Sequence, residues 1–425
     1  MRKLFGLLLL CVVSVFSFTR ASGWVSDAWA APAAGEPIRI GLVNPRSGNL
    51  AITGDDDHWG ARLAVDMFNE RGGVNGRPIQ TVEADIPDAA TAQTEINRLI
   101  QNENLKLITG CYGSSIVEVA ASICDRNDVF WWENVSVLDR LTEQGYKAVF
   151  RVHISGSIFG EEAAKIAVAF GEKIGIKPQD LKLGVVSENS DFGQSLSVGV
   201  RRYAKANNLN LMLDELYDAK TTDTSPIVLK MKDADPDIVI VTSYINDGID
   251  ITKKSKIFNY APKVFLGIGS GYNAAAYPKN LGQDAEGQLD LDPTNAPAIA
   301  KLDPETQKLV KEFSERFEKQ KGFPPTTVGY LAWQATWVLL NNVIAVVGDV
   351  NDLDALIAAA KKIDIPVGTL PTGAGVKFDE KGQNERCVIA VMQWTDGRLV
   401  TIYPDFLATK EPEYIPMPAW DVRFK

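Results

Sequence analysis

Four polar residues carry the chemistry this chain offers most plainly: Ser114, Ser115, Glu133 and Ser136. Each follows a short apolar run. Leu105-Lys-Leu-Ile-Thr reaches Gly110 and the turn Cys111-Tyr-Gly-Ser114-Ser115, and Val129-Phe-Trp131-Trp132 reaches Glu133-Asn-Val135-Ser136. Apolar runs of that length read as buried strands. Ser115 with Glu118 three residues on forms the S-x-x-E box that opens a helix. Gly113 and Ser114 then sit at a helix N-terminus, where unpaired N–H groups and the macrodipole favour an anion. Ligands of open α/β sheets bind at the carboxyl ends of strands. Two parallel strands would therefore deliver hydroxyls for a carboxylate and Glu133 for a cation to one small site. The same box also caps helices that bind nothing, so the reading leans on the repetition of strand, polar turn and helix along the chain.

The positioning elements follow from that repetition. Residues 38–43 read as a strand, followed by a helix with Ala61, Ala64, Val65 and Phe68 on one stripe and Gly72-Gly73 at its end. Strand 79–84 and helix 89–102 complete a β-α-β-α order, which predicts a parallel, doubly wound sheet. From Phe150 the pattern restarts. Strand 181–186 leads to Asp191-Phe192-Gly193, strand 237–242 to Ser243-Tyr244, and strand 263–266 to the turn Gly267–Gly271. Two long helices, 304–321 and 327–347, follow, and Trp333 with Trp337 reads as core. A strand over 387–393 and a Pro-rich tail over 404–425 close the chain.

The chain has 425 residues, which suggests two domains. Arg2 and Lys3, the apolar run to Phe18, and Ala28-Trp29-Ala30 read as a secretory signal peptide over 1–30. No later run is expected to span a membrane. The formal charge of −10 disfavours nucleic acid and anionic membrane surfaces. Three cysteines remain after cleavage, and Cys111 and Cys124 are either a disulfide or two buried thiols. Two histidines, His58 and His153, without ligand spacing make no zinc site. Asp55-Asp56-Asp57 reads as an acidic helix start rather than a calcium site. No nucleophile elbow or P-loop occurs, and Tyr272 spoils the glycine fingerprint begun at Gly267. These absences favour a binder over an enzyme and imply no metal or cofactor.

The order and spacing of several short motifs resemble the periplasmic solute-binding proteins of ABC importers, of the branched-chain amino acid type. They are Ile38-Arg-Ile-Gly-Leu with Ser47-Gly48, Gly72-Gly-Val-Asn-Gly76, Gly113-Ser-Ser115, Leu141–Tyr146 with Phe150-Arg151, Asp191-Phe-Gly193 and Phe378–Gly382. The resemblance implies a type I fold: two Rossmann-like α/β lobes joined by three crossovers. The first lobe would be 36–152 with 294–376, the second 153–293 with 377–403. It also implies a monomer in the periplasm that takes a small solute into the interlobe cleft and hands it to a membrane permease. Ser114, Val135, Ser136 and Thr53 would contact ligand from the first lobe, and Phe192 and Tyr244 from the second. The family's acid for the ligand ammonium is missing from the turn Gly267–Gly271. Glu133 is the substitute, or else it pairs with Arg140 or Arg151. An amino acid is the expected solute, with amides and aromatic acids as alternatives. A ligand-sensing domain and a secreted hydrolase are the rival functions.

Overall fold

The computed structural model describes residues 32–218, 220–295 and 299–423. The expected signal peptide lies outside them. β1 (Ile38–Asn44), β2 (Ile79–Asp85), β3 (Leu107–Gly110), β4 (Phe130–Glu133) and β5 (Val149–Arg151) form one parallel sheet, ordered β2-β1-β3-β4-β5. Helices cover both faces, which is why its strands are apolar almost throughout. Successive residues feed opposite cores. Trp132 packs with the helices Ala51–Glu70, Pro304–Lys321 and Thr327–Val338, whereas Trp131 packs with Ala89–Gln101 and Ser114–Arg126.

The second sheet contains β6 (Lys182–Glu188), β7 (Asn210–Tyr217), β8 (Ile238–Thr242), β9 (Val264–Ile268), β10 (Leu289–Asp292), β11 (Ala390–Thr395) and β12 (Arg398–Tyr403). Its order is β12-β11-β10-β9-β8-β6-β7, with β11 and β12 antiparallel. The hairpin turn Asp396-Gly397 takes positive φ at both residues, the geometry whose twist suits a two-residue loop. The expected strand over 387–393 starts later, at Ala390, and Cys387 precedes it.

The chain passes between the lobes after Arg151, after Asp292, and between Phe378 and β11. Buried polar groups bind the first passage to the third. Arg151 Nε donates to Gln383 Oε1 at 2.7 Å, and Asn384 Nδ2 donates to the Val152 carbonyl at 2.8 Å.

Several local expectations change. Residues 327–347 are long and apolar enough to cross a membrane, contrary to the sequence reading, but Trp333 and Trp337 are fully buried in the first core. The run is also not one regular helix: its α-helix stops at Val338 and a π-helical turn spans Leu339–Ile344. Asp55–Asp57 sit one turn inside the helix Ala51–Glu70, not at its start, and Lys321 pairs with Asp55 and Asp56. Cys111 and Cys124 form no disulfide; they are two buried free thiols in the same apolar core, Cys111 just past β3 and Cys124 on the helix Ser114–Arg126. The tail packs along the second lobe, with Met417 N donating to the Lys263 carbonyl and Trp420 Nε1 to that of Tyr260.

Candidate functional site

The first lobe contributes one turn and one loop. β3 gives way to Tyr112 and Gly113, and the helix begins at Ser114 with Gly113 as its cap, two residues earlier than the S-x-x-E box suggests. Gly113 has φ of 100°, and a Cβ there would stand 2.9 Å from the Leu50 side chain, so glycine is required. No side chain caps this helix. Its first amides have no acceptor within the helix and stay available to a ligand. Ser114 Oγ lies 3.3 Å from Ser136 Oγ, and both side chains are buried. Two hydroxyls at a helix N-terminus form an anion pole.

The second lobe contributes four strand ends. Glu188, at the end of β6, accepts from Ser190 N at 2.7 Å and Gly193 N at 2.8 Å, which fixes the turn carrying Phe192. Tyr244 follows β8, and its ring lies 5.5 Å from that of Phe192. After β9, Gly269 has φ of 92°, and a Cβ there would press on the Phe192 ring at 2.9 Å. Ser270 comes next, and Asp292 ends β10.

Between these surfaces lies a cavity of about 470 Å³, its mouth included. Val135, Val137, Phe159, Phe192, Val328 and Leu331 give it apolar walls. Ser114 and Ser136 provide polar groups from one side, and Ser270 and Asp292 from the other. The lobes touch around it. The Tyr112 hydroxyl is 3.0 Å from Ser270 Oγ, and the Tyr112 and Tyr244 rings meet edge to face at 6.3 Å. At the rim Arg140 reaches Asp191 at 2.9 Å and Glu118 at 2.8 Å.

Of the residues singled out from the sequence, Ser114, Val135, Ser136, Phe192 and Tyr244 line this cavity. Three others lie elsewhere. Ser115 turns outward and donates to Asp191 Oδ2 at 2.6 Å, so it belongs to the rim. Thr53 is buried behind the Tyr112 hydroxyl, to which it hydrogen-bonds. Glu133 is fully buried outside the cavity lining. Its Oε1 accepts from the backbone amides of Cys111, Val135 and Ser136 at 3.2, 3.0 and 2.8 Å, and its Oε2 from Trp131 Nε1 at 3.1 Å. Neither reading of Glu133 matches this placement. It faces amides rather than a ligand, Arg140 is engaged at the rim, and Arg151 hydrogen-bonds Gln383 and the Leu138 carbonyl. Burial raises the Glu133 carboxyl to about 7 against the pull of its N–H donors.

Sequence reasoning missed Tyr112, His153, Ser270 and Asp292, which also line the cavity. Burial lowers His153 to about 3, with Arg151 adding to the effect, so its imidazole is neutral. Burial likewise raises Asp292 to about 8, opposed by hydrogen bonds from Asn273 and the Gly269 amide. The alternation in Leu289-Asp-Leu-Asp292 was the available signal: it marks a strand whose carboxyl end, like the others, carries a polar group to the cleft.

A family model described as periplasmic binding protein matches residues 37–398. The Leu/Ile/Val-binding protein homolog 7 of Brucella abortus (strain 2308) is 32% identical over 391 residues, covering 91% of this chain and 96% of the relative. The homolog 8 protein of the same strain is 30% identical over 370 residues, covering 87% and 91%. Among solved structures, the substrate-binding protein LivJ of Streptococcus pneumoniae, in complex with isoleucine, superposes with a TM-score of 0.72 at 21% identity, covering 87% of this chain and all of that one. An R. palustris solute-binding protein in complex with benzoate gives 0.73 at 19% identity, covering 89% and 99%. Those two likenesses show the type I fold of the two lobes. With the family match over most of its length, the chain belongs to the periplasmic binding proteins, as a substrate-binding protein of the branched-chain amino acid ABC-transporter type.

Proposed function

We propose that this protein binds an amino acid with an apolar side chain in the interlobe cavity. One observation carries the reading: a two-hydroxyl helix N-terminus and a buried carboxylate occupy opposite sides of one apolar pocket. The Ser114 and Ser136 pole takes the ligand carboxylate, and Asp292 takes its ammonium. Val135, Phe159, Val328 and Leu331 surround the side chain. Asp292 thereby fills the role that the sequence reading gave to Glu133.

Because the ligand bridges both lobes, it favours the closed arrangement over an open one. The protein is exported by its signal peptide, acts as a periplasmic monomer, and delivers its solute to a membrane permease. An aromatic carboxylic acid is the second reading, favoured by Tyr112, Phe159, Phe192 and Tyr244 around the pocket.

A thermal-shift series tests these readings with L-leucine, L-isoleucine, L-phenylalanine, the deaminated acid 4-methylpentanoate, leucinamide and benzoate. A ligand present at about 100 times its dissociation constant adds about 2.7 kcal/mol of stability. The amino-acid reading expects the aliphatic amino acids to stabilise most. A response to benzoate or 4-methylpentanoate without one to any amino acid would reject it.

A further inference from the structure

β10 reads Leu289-Asp290-Leu291-Asp292, and the strand period of two turns both aspartates to one face. The two leucines enter the core. Both aspartates are buried, at 0% and 8% exposure. One side-chain amide serves both: Asn273 Nδ2 stands 3.3 Å from Asp290 Oδ2 and 3.0 Å from Asp292 Oδ2, and the Gly269 backbone N–H bonds Asp292 alone.

Among the described residues, no cation offsets them. Tyr272 on the Asn273 helix, Tyr277 on the next helix and Tyr112 across the cavity are the ionisable groups that face the pair. Burial holds all three tyrosines neutral. Neighbouring strands place Gly267 and Met392 beside Asp290, and Ala390 beside Asp292. Arg423 acts on Tyr277 but on neither carboxylate. His153, also on the cavity wall, is neutral. Two other buried acids have company: Asp56 has Lys321, and Glu133 has four N–H donors; Asp57 has only a 3.5 Å contact from Asn134, and it does not line the cavity.

Two carboxylates sharing one amide in a dry interior repel each other, and each resists ionisation. Burial holds Asp290 well above the usual carboxylate range and raises Asp292 as well. The two differ in position, because only Asp292 lines the cavity.

We propose that Asp292 carries a proton in the ligand-free receptor and gives it up to solvent when a ligand's ammonium arrives, so that a cation-bearing solute is captured in exchange for one proton. Asp290 stays protonated behind it, and its proximity is what keeps Asp292 from ionising alone. The balance is simple: one ammonium enters, one proton leaves, and no covalent bond changes partners. A solute without a cation leaves the proton in place. Affinity for an amino acid then rises about tenfold per pH unit below the Asp292 transition and levels off above it, while affinity for the deaminated analogue does not rise. The inference rests on the amino-acid reading of the cavity.

Calorimetry on the mature chain tests it, with L-leucine and 4-methylpentanoate in buffers of low and high ionisation enthalpy, over about pH 6 to 8.5. The expected result is close to one proton released per leucine at the acid end, declining toward the alkaline end, and none released with 4-methylpentanoate. Leucine bound with no proton released and a flat pH profile would overturn the exchange while leaving the amino-acid reading intact. Leucine bound no better than 4-methylpentanoate would overturn both. Asp290→Asn keeps the side-chain shape and removes the neighbouring acid, so proton release should end at lower pH; an unchanged profile removes Asp290 from the mechanism. The wild-type proton count decides the exchange whether or not that variant folds.

Discussion

Glu133 and Asp292 occupy equivalent places in the two lobes. Each is a buried carboxylate at the carboxyl end of a parallel strand, β4 in one and β10 in the other. Their surroundings differ. Glu133 is enclosed by four N–H donors, three from the backbone, and its work is to hold the loop from Glu133 to Ser136 against the turn at Cys111. Asp292 has a share of one side-chain amide, the Gly269 backbone N–H, and a face on the cavity. A carboxylate already saturated by fixed donors has little to gain from a ligand cation. One that is under-satisfied and faces a cavity has much to gain. Position along a strand thus identifies where a polar group is delivered, and the number of donors it finds there decides whether it binds or braces.

The sharpest way to break this comparison is Asp292→Asn. It should weaken an amino acid by about 2–5 kcal/mol, the range for losing one partner of a buried charge pair, and change 4-methylpentanoate far less. Calorimetric titrations of both ligands measure the difference, and equal losses would mean Asp292 braces as Glu133 does. Ser114→Ala comes next. It removes a hydroxyl from the anion pole and should cost any carboxylate ligand about 1.5–3 kcal/mol. Unchanged affinity would take Ser114 out of the site.

Glu133→Gln should act on the fold rather than on ligand choice. The new amide can still accept at Oε1, but its Nε2 then faces the Trp131 indole N–H, donor against donor. A loss of about 1–3 kcal/mol in denaturant stability is expected, with the ratio of leucine to 4-methylpentanoate affinity preserved. A pH signature accompanies it. Folding raises the Glu133 carboxyl from 4.5 to about 7, so the folded state holds that proton more tightly than the unfolded chain. The stability from this difference is fully present below the unfolded value and is lost as pH rises through the folded one. The glutamine variant should lack that part of the pH slope. Asp191→Asn has the smallest effect. It loosens the interlobe contacts of Ser115 and Arg140, both exposed, so ligand affinity should fall by less than about 1 kcal/mol, and less again in high salt. A salt-independent loss would place Asp191 deeper in the mechanism than the rim.

The chain order of strands, polar turns and helices determined the two-lobed parallel architecture, because periodicity and turn residues are local properties that survive without coordinates. Ser114 and Ser136 were legible for the same reason: each lies just past a recognisable strand, where an α/β sheet presents its ligands. Val135, Phe192 and Tyr244 came only from the resemblance to a known family. Tertiary structure alone decided the rest. Whether Ser115 faced a ligand depended on the helix starting at Ser114, which turned Ser115 toward Asp191 on the other lobe, 76 residues away in sequence. Glu133 looked free in the sequence because its acceptor capacity is filled by backbone amides, which every residue but proline carries and no sequence pattern marks. Asp292 was invisible for the opposite reason. It becomes a cavity group only when β10 pairs with β9 and with the distant β11, bringing the strand end opposite Tyr112 of the other lobe.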